Sequence, residues 1–281
     1  MQKLYSQGSR LDVSMPVIMG IVNTTPDSFS DGGDFFSTKH ACDHADKLIN
    51  AGAGIIDIGG ESTRPGAALV TEEQELARVI PVIEYVSRHH DVWISIDTSK
   101  PAVMAAAIAA GAHMINDVRA LTEPGALAMA AQLQVPVCLM HMQGQPQNMQ
   151  ANPEYENIIH DILTFFKARI AACIAAGISF DNLVLDPGFG FGKTLTHNYQ
   201  ILAQLAQFAV LDRPLLIGLS RKSMIGQLLN RDVEERLIGS VSAALIACQH
   251  GANIIRVHDV AETMDMLKVW QMTQTQMIKQ N

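Results

Sequence analysis

The sequence predicts a single-domain α/β fold, a (β/α)8 TIM barrel spanning residues 1–281, and three observations favour it. The chain has 281 residues, close to the roughly 250 that such a barrel needs. Short apolar runs alternate with longer helical patterns from one end to the other. Three helical patterns end in a glycine followed by alanine, Ala-Gly-Ala at 51–53 and 110–112 and His-Gly-Ala at 250–252, and each leads directly into an apolar run. This repetition indicates one βα unit used many times.

Eight apolar runs rich in β-branched and aliphatic residues are predicted as strands. They lie at residues 17–22, 55–59, 92–97, 113–117, 136–141, 183–186, 215–219 and 254–258. Continuous apolar strands that alternate with helices are typical of a parallel sheet covered by helices. Eight such units favour a closed barrel over the alternative, an open doubly wound sheet.

The predicted helices begin and end at recognisable signals. Thr71 and Gln74 form a capping-box pattern before an apolar stripe. The shortest link between strands still holds a helix, with Ser99 as the predicted N-cap, Pro101 in the first turn and Gly111 as the stop.

Composition narrows the class of protein. Hydrophobic residues make up 48% of the chain and charged residues 17%, with a formal net charge of −8. An acidic total argues against a nucleic-acid or membrane-surface partner. The four cysteines form no C-x-x-C pair, so we expect buried thiols in a reducing cytoplasm. Residues 1–12 carry no apolar signal-peptide core, and no apolar run is long enough to cross a membrane.

Polar residues stand at the predicted end of every strand. They are Asn23, residues 61–64, Asp97, residues 116–117, His141, Asp186, residues 220–222 and residues 256–258. A lone polar residue after a strand is usually a loop cap, but eight at equivalent positions are hard to explain that way. Because barrel enzymes place their chemistry at the C-terminal ends of the strands, we expect these groups to converge on one mouth.

Two chemically distinct sets are present among these groups. The cationic set suits a phosphate or diphosphate; it is Arg64, Lys222, Arg256 and His258. The acceptor set suits the edge of a planar ligand that displays N–H donors; it is Asp97, Asn116 and Asp186. A ligand with donors at one end and phosphates at the other would satisfy both sets.

The glycine-rich segment 188–194, GFGFGKT, resembles a phosphate-binding Walker loop but fails its pattern. The first glycine of that pattern falls on position 187, which is proline. We therefore predict a flexible loop after the sixth strand.

The ordered motifs resemble those of bacterial dihydropteroate synthases along almost the whole chain. The two longest are MGIVNTTPDSFSDGG at 19–33 and DIGGESTRPG at 57–66. Six shorter ones follow in order: SIDT at 95–98, IND at 115–117, LMHM at 139–142, LDPGFGFGK at 185–193, SRKS at 220–223 and RVHD at 256–259. Thr24 stands where the family often has valine, and it affects no expected ligand.

The resemblance implies a barrel, a homodimer, a requirement for Mg²⁺, and a role for each matching residue. The pterin ring would be held by Asp97, Asn116, Met140, Asp186 and Lys222. The diphosphate would be held by Asn23, Thr63, Arg64, Arg256 and His258, with Mg²⁺ near Asn23 or Asp31. The p-aminobenzoate pocket would be formed by Phe29, Arg64, Pro65, Phe191 and Ser223. Catalysis would depend on Arg64, Asp97, Lys222, Arg256 and His258.

The implied reaction displaces diphosphate from the exocyclic CH₂ of a pterin by the amine of p-aminobenzoate. An aniline nitrogen is already a nucleophile at neutral pH, so the departure of diphosphate is the difficult step. We expect a dissociative, carbocation-like displacement, with the loops 27–36 and 62–68 closing to exclude water.

Two alternatives remain. A pterin-binding methyltransferase would share the barrel and the acceptor set but would not need the cationic set. A non-catalytic paralogue would bind pterin or p-aminobenzoate without turnover.

Overall fold

The computed structural model describes residues 2–24, 34–62, 69–144, 149 and 153–278. The strands are β1 (Lys3–Ser6), β2 (Ser9–Asp12), β3 (Val17–Asn23), β4 (Ile55–Gly59), β5 (Trp93–Asp97), β6 (Met114–Asp117), β7 (Val137–Met140), β8 (Leu183–Asp186), β9 (Leu216–Ile217) and β10 (Ile254–Val257). The helices are α1 (Asp34–Asn50), α2 (Glu72–His89), α3 (Pro101–Ala109), α4 (Ala126–Leu133), α5 (Ile158–Ala175), α6 (Leu195–Ala203), α7 (Ser223–Leu229), α8 (Leu237–Gln249) and α9 (Val260–Ile278).

The eight parallel strands β3 to β10 form the predicted barrel. Strands β3 to β8 pair in chain order, and β10 pairs with both β3 and β9. The ring closes between β8 and β9 through a single bridge, Leu185 to Leu215, and the amide of Leu185 donates to Pro214 O at 2.9 Å. We call this junction the barrel seam. All eight predicted strands are present, although β9 is only two residues long.

The barrel interior is built in layers because alternate side chains of a strand face the same side. The layer at the N-terminal ends is apolar, and it contains Met19, Ile55, Trp93, Met114, Cys138, Val184, Leu216 and Ile254. Two residues further along the strands the layer becomes polar, and it contains Asp57, Ser95, Asn116, Asp186 and Arg256. The predicted mouth is therefore the polar end of a barrel whose interior is otherwise apolar and buried.

A short hairpin that the sequence patterns did not predict covers the N-terminal end of the barrel. Strands β1 and β2 pair antiparallel, and Leu4 joins the apolar layer, fully buried. The indole of Trp93 donates to Ser9 Oγ at 3.0 Å, and Gln7 Nε2 donates to the carbonyl of Ile108 at 3.1 Å. The hairpin thus closes the floor opposite the mouth.

Two predicted helix caps had different outcomes. Thr71 and Gln74 form the capping box of α2. Ser99 was wrong as the N-cap of α3, because the cap residue is Lys100 and Pro101 is the first helical residue. The Ser99 hydroxyl instead donates to Asp117, whose carboxylate also accepts from backbone amides of the loop after β6.

The four cysteines are free and buried, as expected. Among the residues that the structure describes, no helix combines the length and the apolar character that a membrane crossing would require.

Candidate active site

The acceptor set lies on neighbouring strands at the C-terminal end of the barrel. Asp97, the last residue of β5, is the register partner of Asn116, the last residue but one of β6. Met140 and Asp186 are register partners at the ends of β7 and β8. Asn116, Met140 and Asp186 are each less than 10% exposed. These four side chains therefore share one wall of the mouth.

Arg256 is held between two carboxylates. Its Nε donates to Asp57 Oδ2 at 2.6 Å, and its terminal nitrogen donates to Asp97 Oδ2 at 2.8 Å. The same Asp57 oxygen accepts from Asn116 Nδ2 at 3.1 Å. One buried carboxylate thus connects the cationic set with the acceptor set.

Asp57 is a residue of the site that the sequence patterns missed. It is fully buried, and its Oδ1 has no hydrogen-bond partner in the described part of the chain. It lies in the middle of β4, so a search of strand ends overlooks it. The useful signal was alternation, because Asp57 lies two residues beyond Ile55 of the inward-facing apolar layer.

The charge of Asp97 is sensitive to these neighbours. Burial raises the pKa of Asp97 to about 7, the Arg256 guanidinium opposes this rise, and the carboxylates of Asp57 and Glu75 add to it. Asp97 is therefore easier to protonate than an exposed aspartate.

Asp186 and Lys222 face each other across the next part of the mouth. Asp186 Oδ1 accepts from the amide of Gly188 at 2.7 Å. Burial raises the pKa of Asp186, and the charge of Lys222 opposes the rise. Burial lowers the pKa of Lys222 to about 8, against the opposing effect of Asp186.

Lys222 also contacts the glycine-rich loop after β8. Its Nζ donates to the carbonyl of Phe189 and lies 4.6 Å from the centre of the Phe191 ring. Phe191, predicted for the p-aminobenzoate pocket, and Lys222, predicted for the pterin, are therefore in direct contact.

The segment that follows β9 is joined to the segment that follows β10. Ser220 Oγ lies 3.1 Å from His258 Nδ1 and accepts from the amide of His258 at 3.2 Å. Arg221 adopts φ +57° and forms a two-pronged ion pair with Asp259, at 3.0 Å and 2.5 Å. Ser223 is exposed at the first position of α7. The Arg221–Asp259 pair thus fixes the backbone between Ser220 and Lys222.

Five of the predicted site residues lie outside the described residues: Phe29, Asp31, Thr63, Arg64 and Pro65. The first predicted loop, residues 27–36, extends too far, because α1 already begins at Asp34. Asn23, predicted for diphosphate and metal, is exposed at the end of β3.

The start of the second loop is held by an ion-pair group. Lys100 Nζ lies 2.5 Å from Glu61 Oε2 and also contacts the fully buried Glu75. Arg78 donates to the carbonyl of Gly60 at 2.8 Å. Glu61 is thereby fixed at the edge of the mouth.

Two strand-end residues do not join the mouth. Asp117 and His141 directly follow the inward-facing Asn116 and Met140, so alternation points them away from the barrel interior. Asp117 accepts from the amides of Arg119 and Leu121, at 2.9 Å and 2.7 Å. His141 contacts Lys193.

No group of three or more His, Cys, Asp or Glu side chains among the described residues could hold a metal ion. Asn23 offers an amide oxygen, a ligand type that suits Mg²⁺ when phosphate oxygens supply other positions. The amide oxygen of Asn23 therefore suits a magnesium ion that also binds the oxygens of a phosphorylated ligand.

Comparison with known proteins agrees with this arrangement. A family described as "Pterin binding enzyme" matches residues 19–258. The dihydropteroate synthase of Haemophilus influenzae is 57% identical over 271 residues, covering 96% of this chain and 98% of its own. A Yersinia pestis dihydropteroate synthase, solved with a sulfonamide drug complex, superposes with a TM-score of 0.93 at 55% identity and covers 98% of this chain and 100% of its own. A Xanthomonas albilineans dihydropteroate synthase solved with 4-aminobenzoic acid gives a TM-score of 0.92 at 50% identity, with coverages of 97% and 98%.

The chain therefore belongs to the family of pterin-binding barrel enzymes. Within that family, its similarity over nearly the whole length places it among the bacterial dihydropteroate synthases.

Proposed function

We propose that the barrel mouth joins a dihydropterin diphosphate to p-aminobenzoate, giving 7,8-dihydropteroate and diphosphate in folate biosynthesis. Family membership supports the overall reaction. The observation that carries the site assignment is Asp57, whose one oxygen accepts from both Arg256 and Asn116. Asp57 thus connects Arg256, expected to bind the diphosphate, directly to Asn116, expected to bind the pterin edge.

The pterin ring would lie against the acceptor wall. Asp97 and Asp186 would accept from its ring N–H and amino groups, and Asn116 would both donate and accept. Met140, 3% exposed at the end of β7, would pack against the ring face. Lys222 would donate to a ring acceptor, with Asp186 beside it. Each charge-assisted bond of this kind contributes roughly 1.5–3 kcal/mol.

The diphosphate would lie on the cationic side of the mouth. Arg256 is positioned from below by Asp57, and His258 is positioned by Ser220. We assign Thr63 and Arg64 to the same group from the motif that they share with the family. Asn23 would hold Mg²⁺, together with Asp31, and the bound ion would supply charge neutralisation to the leaving group.

The p-aminobenzoate would occupy the side of the mouth where Phe191 meets Lys222. Phe191 offers an aromatic face, and Ser223 offers a hydroxyl at the start of α7. Phe29, Arg64 and Pro65 complete this assignment by motif.

The reaction would depend on removing the leaving group rather than on activating the nucleophile. The C–O bond to diphosphate breaks first, while Arg256 and His258 stabilise the charge that grows on the departing oxygen. The carboxylates of Asp97 and Asp186 stabilise the cationic pterin CH₂. The neutral amine then forms the C–N bond and afterwards loses a proton.

The decisive test is the release of diphosphate from a pterin diphosphate, measured with and without p-aminobenzoate and Mg²⁺. We expect release that depends on both. A chain that binds the pterin but releases nothing would be a binding paralogue, and transfer of a methyl group would indicate the methyltransferase alternative.

We also propose that the protein is a cytoplasmic homodimer in which each subunit is a single domain. Exposed apolar side chains concentrate along α7, α8, α9 and the segment between α7 and α8; they are Leu228, Leu229, Val233, Ile238, Ile246, Val269 and Met272. Ile238 is 76% exposed, and Ile238→Asp should convert the dimer to a monomer in light scattering if this face is the interface.

A further inference from the structure

Lys193 is a buried lysine for which the proposed reaction has no use. It is 3% exposed, although lysine is almost never fully buried without a partner. Its Nζ lies 3.0 Å from His141 Nδ1, 3.2 Å from His141 O and 2.9 Å from Phe191 O. The amine therefore bridges the loop after β7 and the glycine-rich loop after β8.

The three contacts match the bonding capacity of an amine. An ammonium would donate to all three atoms, and a neutral amine would donate to the two carbonyls and accept from the His141 ring. Burial lowers the pKa of Lys193 well below its ordinary value. Burial and the nearby charge of Lys193 lower the pKa of His141 to about 2, so the imidazole is neutral. The bridge is the same in both forms of the amine.

The bridged loop is tightly seated against the loop after β7. Gly188 has φ +72°, and a Cβ at this position would overlap His141 O. Gly192 has φ +60°, and a Cβ there would overlap Gln143 O. The hydroxyl of Tyr155 donates to Gly192 O at 2.8 Å. The segment that resembles a failed phosphate loop is thus a fixed strap, not the flexible loop that the sequence pattern suggested.

The strap presents two groups to the mouth. The carbonyl of Phe189 accepts from Lys222 Nζ, and the ring of Phe191 lies beneath the same Nζ. Lys193 donates to the carbonyl of Phe191 and so holds the backbone that carries this ring. Lys222 therefore contacts a strap that Lys193 holds in place through the carbonyl of Phe191.

We propose that Lys193, through its bridge to His141, is a positioning residue that sets the place of Lys222 and Phe191. It touches neither substrate; its effect on pterin binding passes through Lys222, and its effect on p-aminobenzoate passes through Phe191. This inference rests on the proposed assignment of Lys222 to the pterin ring. It gives the GFGFGK segment a function in which the buried lysine holds the loop in place and does not bind phosphate.

The test is a double-mutant cycle between Lys193→Met and Lys222→Met. Calorimetry with 6-hydroxymethylpterin, which cannot react, measures pterin affinity. Losing one positioned hydrogen bond should raise Kd about tenfold in the Lys193 variant, and removing the ligand-contacting charge should raise it about a hundredfold in the Lys222 variant. If Lys193 acts through Lys222, the double variant binds no more weakly than Lys222→Met alone.

Additive losses, about a thousandfold in the double variant, would overturn the inference, because a purely structural lysine destabilises the fold whatever occupies position 222. The two hypotheses fail separately. Unchanged pterin affinity in Lys222→Met would refute the ring assignment itself. Lys167, exposed on α5, supplies the control: Lys167→Met should leave pterin affinity unchanged.

A second pair of variants keeps the inference testable if Lys193→Met does not fold. His141→Asn retains an acceptor close to the position of Nδ1, and His141→Leu removes it. We expect His141→Asn to keep near wild-type KM values for both substrates. His141→Leu should raise both several-fold. Equal losses in the two variants would contradict the positioning role.

Discussion

Replacing Asp57 with asparagine removes a charge but almost no volume from beneath the mouth. The carbonyl oxygen of the new side-chain amide can still accept from Arg256 Nε and from Asn116 Nδ2, which share one carboxylate oxygen in the wild type. The NH₂ group of that amide takes the place of Oδ1, which has no partner among the described residues. The substitution therefore tests the negative charge more than the geometry.

The expected fall in kcat depends on the contacts that Arg256 retains in the Asp57→Asn variant. One charge-assisted hydrogen bond is worth about 1.5–3 kcal/mol, or about 10- to 150-fold in rate. Arg256 retains its contact with Asp97 at 2.8 Å, so we expect the lower end, about a tenfold fall in kcat. The unpaired buried NH₂ should also lower the free energy of unfolding by about 1–3 kcal/mol.

The pH dependence gives a sharper readout. If Asp97 must be ionised and Lys222 protonated, kcat/KM is bell-shaped, with limbs near their pKa values of about 7 and about 8. The Asp57 charge raises the pKa of Asp97. In Asp57→Asn that pKa falls, so the acid limb moves to lower pH while the basic limb stays in place.

The assay is steady-state release of diphosphate measured between about pH 5.5 and about pH 9.5. Asp265→Asn, an exposed change on α9, is the matched control and should reproduce the wild-type profile. The reasoning is refuted if the acid limb of Asp57→Asn stays where it is, or if both limbs move together.

Three further substitutions test other parts of the site. Asp186→Ala should abolish pterin binding in calorimetry, and unchanged affinity would exclude its role at the ring edge. Ser223→Ala should raise the KM for p-aminobenzoate alone; an equal rise for the pterin substrate would count against the pocket assignment. Gly188→Ala should lower Tm and raise both KM values because its Cβ overlaps His141 O. Gly177→Ala, at φ +95° with open space around it, is the control that carries the backbone strain without the overlap.

The barrel was predictable because each βα unit has its own local pattern. An apolar strand, a glycine stop and a capping pair such as Thr71 with Gln74 are local signals. The hairpin β1–β2 was missed because its strands are four residues long and only partly buried. Its stability comes from packing on the barrel floor, which no local pattern records. The N-cap error at Ser99 arose because its hydroxyl bonds to Asp117, a residue 18 positions away.

The grouping of the candidate site residues was predictable where they lie at strand ends and not where they lie behind them. Asp97 and Asp186 end their strands, Asn116 is the last residue but one of β6, and the three lie on one wall. Asp57 and Lys193 are not at strand ends, and only the three-dimensional arrangement shows what they touch. His141 could have been separated from the mouth by alternation alone, because it follows the inward-facing Met140.

The barrel seam should affect where the folded barrel opens locally. Most neighbouring strands share several backbone pairs, whereas β8 and β9 share a single bridge at Leu185 and Leu215. A joint with so few hydrogen bonds opens at lower free-energy cost than the rest of the ring, and its amides should exchange with deuterium sooner than those of β4. Asp186 is the last residue of β8, and Lys222 lies in the segment that follows β9. We therefore expect the ring to open most easily between the two residues proposed to hold one edge of the pterin, and a bound pterin that spans them would hold this junction closed.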